Sequence, residues 1–209
     1  MSVRQEQKAA TRRRLLGHAE RLVIRNGFAT TRTIDVARAA GVAHGSVFVH
    51  FPSREDLMLS VASEMGRRLT DRLHELAAAG TGLRPALTAH VGCIAEHEDL
   101  YHRLLVEGPS LPSDFRATWL GMQSAVATHI LTAAEVDIHA GRVRPIPAHL
   151  LFNTWLGLVH HYVANRDLFA ATGPGGGASP GDPDQSPNCA VMAAHGPTLV
   201  EHYINLLSP

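Results

Sequence analysis

The sequence predicts an all-α protein, and three observations point there. Aromatic residues make up only 5% of the 209-residue chain, while 45% is hydrophobic. The apolar positions recur at helical spacing, and glycine and proline clusters cut them into segments of helix length. A chain this long and this apolar can build one or two small cores.

The first predicted helix covers residues 4–26, where Leu15, Leu16, Ala19, Leu22 and Val23 repeat at 3.6-residue spacing and Gly27 stands at the stop. Within "FATTRTIDVARAAGV", Ile34, Val36, Ala37 and Ala40 form the apolar side of a short second helix that Gly41 ends. A third, of about two turns, follows and is halted by Pro52. In it Val47, Phe48 and Phe51 are expected to face inward, leaving Ala43, His44, Ser46, Val49 and His50 outside. Ser53 and Asp56 have the spacing of a capping box opening a long helix over 54–79. Further helices are predicted at roughly 83–108, 113–140, 147–170 and 188–207. The stretch "TGPGGGASPGDPDQSP" is too rich in Gly and Pro to bury anything, so 171–187 is expected to be a disordered loop.

Charge is segregated along the chain. Residues 1–54 hold ten Arg or Lys against three acids, a net +7, and the remainder carries −7. A basic end joined to an acidic body suits a polyanion ligand. No apolar run reaches the roughly 20 residues of a membrane helix, and the N-terminus has no signal-peptide core, so a cytoplasmic protein without a membrane partner is expected. Cys93 and Cys189 lie far apart and form no CxxC pair, so neither a disulfide framework nor a cysteine-rich zinc module is suggested.

Two short helices around a tight Gly41 turn, flanked by longer helices, form a helix-turn-helix pattern. A recognition helix presents small and polar groups to base edges while its other side is locked to the core. The third helix has that composition. Gly45 permits close backbone approach, and His44, Ser46, Val49 and His50 can reach bases or phosphates.

The run "TIDVARAAGVAHGSVFVHFPSREDL", with the preceding Leu15–Asn26 helix and "NGF", resembles the DNA-binding domain of the TetR/AcrR family of bacterial transcriptional regulators. The resemblance implies a three-helix DNA-binding head over residues 1–53 and a helical effector-binding and dimerisation body over 54–209. It also implies a homodimer on a palindromic double-stranded operator, released when a small molecule enters the body, with no enzymatic activity and no required cofactor. Thr33, His44, Gly45, Ser46, Val49 and His50 are the expected DNA contacts, with Arg32 and Arg54 on phosphates. Three positions depart from the family pattern. Arg32 stands where Thr or Ser usually caps the second helix, so Thr31 or Thr33 is the alternative cap; Phe48 replaces a common Tyr, and Arg54 a Lys.

In the body, His90, Cys93 and His97 recur at i, i+3 and i+7, within roughly 60° of one another on a helix. Three readings follow: a zinc or similar divalent-metal site completed by His160 or His161, a polar ligand pocket, or ordinary packing. For a ligand pocket, His90, His97, Met122, Trp155 and His161 are the candidates, with Trp119, Phe152 and Tyr162 as further lining. A metal-dependent hydrolase on the same cluster lacks a general base, because Glu96 and Glu98 on a continuous helix point away from it. Leu151, Leu158, Leu199, Tyr203 and Leu206 on the last two long helices are expected to supply either a dimer interface or interior packing.

Overall fold

The computed structural model describes residues 2–79, 82–170 and 191–209. It is helical: α1 (Val3–Asn26), α2 (Thr33–Ala39), α3 (His44–Phe48), α4 (Arg54–Ala79), α5 (Leu83–Glu96), α6 (Glu98–Glu107), α7 (Ser113–His139), α8 (Ala148–Ala164), α9 (Arg166–Ala170) and α10 (Val191–Leu207), with a 3-10 turn at Gly108–Ser110. The expected disordered loop, Cys189 and the first residues of the expected last helix lie outside the described residues.

The chain divides into two units. One contains residues 1–66 and 103–120, the other 67–102 and 121–209. The first unit runs into α4, and residues 103–120 belong to it for a local reason. Arg103 Nε donates to Ile24 O at 3.0 Å and Nη2 to Arg25 O at 3.3 Å, satisfying carbonyls that the end of α1 leaves open. Glu107 accepts from Phe28 N–H at 2.8 Å, and the Phe28 ring meets Phe115 edge-on at 5.6 Å.

Within the head, Ser2 opens α1 through a capping box with Gln5, and Leu15, Leu16, Ala19 and Val23 are buried on one stripe. Gly41, at φ 65°, ends α2 in a Schellman motif: its N–H reaches Arg38 O at 3.1 Å, and Val42 N–H reaches Ala37 O at 3.0 Å. That glycine sets the turn between α2 and α3. Ser53 Oγ accepts from Asp56 N–H at 3.0 Å, as the capping-box spacing predicts.

In the body, α10 packs principally against α5 and also against α8. The α5 contact depends on Gly196, where a Cβ would sit 2.0 Å from Val91 Cγ1. Two buried carboxylates hold helix starts from a distance. Asp137 accepts from Leu83 N–H at 2.8 Å, and Glu98 accepts from Val191 and Met192 N–H at 3.0 and 2.8 Å. Each takes amides that the first turn of a helix cannot satisfy by itself.

Two expected helices are broken. His97, at φ −133° and ψ 27°, separates α5 from α6, and Asn165, at φ −109° and ψ 29°, separates α8 from α9. Neither break carries a Gly or Pro, so periodicity alone reads through both.

Candidate functional site

In the head, α3 has a locked side and an open side. Val47 is fully buried and Phe51, just beyond the helix, almost so. Arg12 of α1 lies over the Phe51 ring, 4.7 Å from its centroid, and donates to Ser60 Oγ at 3.3 Å. The anchoring side thus ties α3 to α1 and α4. On the open side, His44, Gly45 and Val49 are exposed, Val49 to 67%, and Ser46 is half-buried.

Two expectations for this helix are corrected. Phe48 is 43% exposed rather than inward, its ring edge-on to His44 at 5.2 Å. One turn separates these two positions, so the aromatic pair shares the open face. His50 is only half outward. Its Nδ1 is buried with no hydrogen-bond partner among the described residues, and desolvation, followed by Lys8 and then Arg12, holds its pKa below the ordinary histidine value. Ile34, expected on the inward side of α2, is likewise 43% exposed.

Thr33 Oγ1 and His44 Nε2 lie 3.0 Å apart, joining α2 to the first residue of α3. Neither threonine caps α2. Thr31 Oγ1 donates to Gly27 O at 2.7 Å, and the N-cap position, Arg32, makes no side-chain cap bond. Arg32 instead pairs with Asp35 at 3.0 Å and keeps its side chain 75% exposed. Arg54 departs furthest from expectation. Nε donates to Thr31 O and Nη2 to Ala29 O, both at 2.9 Å, Nη2 also donates to Phe28 O, and Nη1 faces Glu55. Its fork closes the α1–α2 turn, so the phosphate role expected of it is taken up by carbonyls.

In the body, the four expected metal ligands do not converge. Among the described residues no group of three or more His, Cys, Asp or Glu is arranged to hold a metal ion. His90 turns to Trp155, whose Nε1 donates to its Nδ1 at 3.0 Å. Cys93 and His97 line a different feature, an open cleft of ≈ 340 Å³ shared with Arg67, Arg68, Arg72 and Glu96. Burial, reinforced by Glu96, pushes the Cys93 thiol up to about 11, against Arg72 and Arg68, so it remains protonated rather than a thiolate ligand. His161 is exposed, packed against Tyr162 and Phe169 rings and 3.4 Å from Asn165 Nδ2. The small angular spread expected of positions 90, 93 and 97 is lost because α5 ends at His97. That same break buries Glu98, which a continuous helix would have turned outward.

The expected ligand residues divide similarly. Met122 and Trp155 are buried with His90, Phe152 is buried, His97 is on the cleft, and Trp119 belongs to the head unit. Composition and spacing give no sign of a second polar group in the body. Tyr101 OH lies 2.9 Å from His160 Nε2 and 3.5 Å from Gln123 Nε2, and burial lowers His160 to about 4 and raises Tyr101. The signal for these was absent because each sits on a different helix.

A short helix with an anchored side and an exposed polar-apolar side, set by a glycine turn against a preceding helix, defines a helix-turn-helix DNA-binding protein with a helical body. Residues 15–61 match the family described as bacterial regulatory proteins, tetR family, in keeping with a DNA-binding transcriptional regulator. Solved structures share the fold over nearly the whole chain. The TetR family transcriptional regulator PfmR from Thermus thermophilus is 15% identical with a TM-score of 0.67, covering 91% of this chain and 97% of its own. The regulator FadR from Bacillus subtilis, in complex with stearoyl-CoA, is 15% identical at 0.70, covering 91% and 96%. The ketosteroid transcriptional regulator KstR2 of Mycobacterium tuberculosis is 18% identical at 0.68, covering 95% of each chain. No helix among the described residues is long and apolar enough to cross a membrane.

Proposed function

We propose that the chain is a homodimeric, cytoplasmic repressor that binds a palindromic operator and leaves it when a small molecule enters the body. The observation that carries this reading is the open face of α3. His44, Gly45 and Val49 are exposed there while Val47 and Phe51 hold the helix, the division of labour that base readout in a major groove needs. His44 offers ring nitrogens to base edges, and Val49 and Phe48 offer apolar contact to a thymine methyl. Ser46 and Thr33 supply hydroxyls, His50 stands beside basic α1, and the exposed Arg32 reaches for phosphate.

The dimer reading draws on α8 and α10. Leu151, Leu199 and Tyr203 are buried within the chain's own core, so they serve interior packing. What remains for a partner is Leu206, 54% exposed, half-buried Leu158, exposed Leu150, and the small exposed residues Thr154, Gly157, Ala193, Ala194 and Thr198. Small residues let helix backbones approach closely across a two-fold axis. Repression relieved by an effector is then linkage: a molecule that binds the body better in one arrangement weakens DNA binding by the same factor.

Selection of bound fragments from random duplex DNA by the purified protein tests this. Enrichment of a two-fold palindrome is expected, with half-sites about one helical turn apart. Recovery of no preferred sequence across a range of salt concentrations contradicts the reading.

A further inference from the structure

The body holds a polar cluster whose internal hydrogen bonds are incomplete. Trp155 Nε1 donates to His90 Nδ1 at 3.0 Å, and an indole N–H can only donate, so Nδ1 carries a lone pair. His90 is fully buried, and that burial, with a smaller effect of His160, lowers its pKa to about 3. The ring is therefore neutral with its proton on Nε2. This N–H is buried with no acceptor among the described residues.

A second chain of bonds ends in the opposite sense. Gln123 Nε2 donates to Tyr101 OH at 3.5 Å, and the phenol shares a hydrogen bond of 2.9 Å with His160 Nε2. Gln123 is itself 9% exposed, and its Oε1 is a buried acceptor with no donor among the described residues. The two chains belong to one region of the body. His160 acts electrostatically on His90, and Cys93, one turn along α5 from His90, acts on Tyr101.

An unmet buried donor or acceptor destabilises the fold unless a partner is supplied. One of each, in the same region of the body, suits a guest atom that accepts and donates together, and a hydroxyl does both. Charge narrows the class further. The perturbation of His90 comes from burial and then from His160, and that of His160 from burial, with no carboxylate or guanidinium contributing. A carboxylate or ammonium placed there would be desolvated without a counter-ion. The Trp155 ring, tilted against Tyr203 with the centroids 5.2 Å apart, adds an aromatic wall.

Resting on the effector-responsive reading above, we propose that His90 Nε2–H and Gln123 Oε1 recognise the hydroxyl of an uncharged, otherwise apolar effector, an alcohol or phenol. Its oxygen accepts from His90, and its O–H donates to Gln123.

The test uses the full-length protein with 1-octanol and 4-ethylphenol as probes and octanoate and 4-ethylbenzoate as charged counterparts. Thermal stability, tryptophan emission and the nitrogen-15 shift of His90 Nε2 are followed. The hydroxyl probes should raise Tm, quench or shift the emission and move the His90 resonance, while the carboxylates do none of these. His90→Phe and Gln123→Leu should each weaken 4-ethylphenol binding by about tenfold or more. The wild-type histidine resonance supplies a readout that needs no variant to fold. Equal binding of the carboxylates, unchanged affinity in both variants, or no response to either hydroxyl probe overturns the proposal, the last leaving bound water as the occupant. Random-duplex selection on the same preparation separates the two claims. An enriched palindrome without hydroxyl binding removes only this subsite, whereas no enriched sequence removes the regulator reading beneath it.

Discussion

The head and the body place their histidines in opposite ways. On α3, His44 stands exposed beside Phe48, tied to Thr33 and offered to solvent. In the body, His90 and His160 turn inward, neutral, on Trp155 and Tyr101. The difference teaches two ways of finding function. An interface for a large polar partner is visible as exposed side chains on an anchored element. A site for a small guest is visible as a buried polar group that its own fold leaves unmet.

The largest test of this contrast concerns how tightly each region is built. Gly196→Ala places a methyl 2.0 Å from Val91 Cγ1, at the α5–α10 contact beside the His90 helix. A loss of about 3 kcal/mol in chemical denaturation is expected. Val91→Ala in the same chain should restore most of it, because the nearest remaining atom, Val91 Cβ, lies at 3.4 Å. An unperturbed single variant would show that the two helices do not meet so closely.

Next comes the anchored side of the head. Arg54→Ala removes the donors to the carbonyls of Phe28, Ala29 and Thr31 and should cost about 2 kcal/mol, with weakened operator binding as a consequence. Arg54→Lys should recover only part, since an ammonium lacks the planar fork. A variant of wild-type stability that nonetheless loses DNA affinity would return Arg54 to the phosphate role expected from sequence.

The smallest effect separates the two kinds of histidine by pH. His90 and His160 have folded pKa values near 3 and 4, below the ordinary 6.5. Between those limits the unfolded chain binds protons that the folded chain refuses, so stability rises with pH there and falls as pH drops below about 6.5. Each group contributes a slope of up to about 1.4 kcal/mol per pH unit. His90→Phe should flatten the fall in Tm between pH 7 and pH 5. An identical slope in the variant would mean that His90 is not held neutral.

Sequence made the head more legible than the body, for a physical reason. The bounds of α1 to α4 follow from local chemistry, since Gly41, Pro52 and the Ser53–Asp56 pair each act within a few residues. Exposure is less local. Phe48 and Ile34 fall on the open side because such short helices have too few turns to define a broad buried stripe. In the body, periodicity read through the breaks at His97 and Asn165, which carry no Gly or Pro. The expected His90, Cys93 and His97 cluster depended on an unbroken helix, and its members separate into a buried bond and an open cleft. Trp155 and His90 were both ligand candidates, but the bond between them spans 65 residues and leaves no trace in spacing. Arg103 and Glu107 were missed likewise, because their partners at Ile24, Arg25 and Phe28 lie about eighty positions away.

The most direct test of the central claim, that α3 reads DNA through its open side while its other side only anchors it, is the affinity of His44→Ala/Val49→Ala for the sequence selected by the wild type. Melting temperature is measured on the same samples. A loss of affinity of about tenfold or more with an unchanged Tm is predicted, since neither side chain is buried. Undiminished affinity, or a collapsed thermal transition, would contradict it.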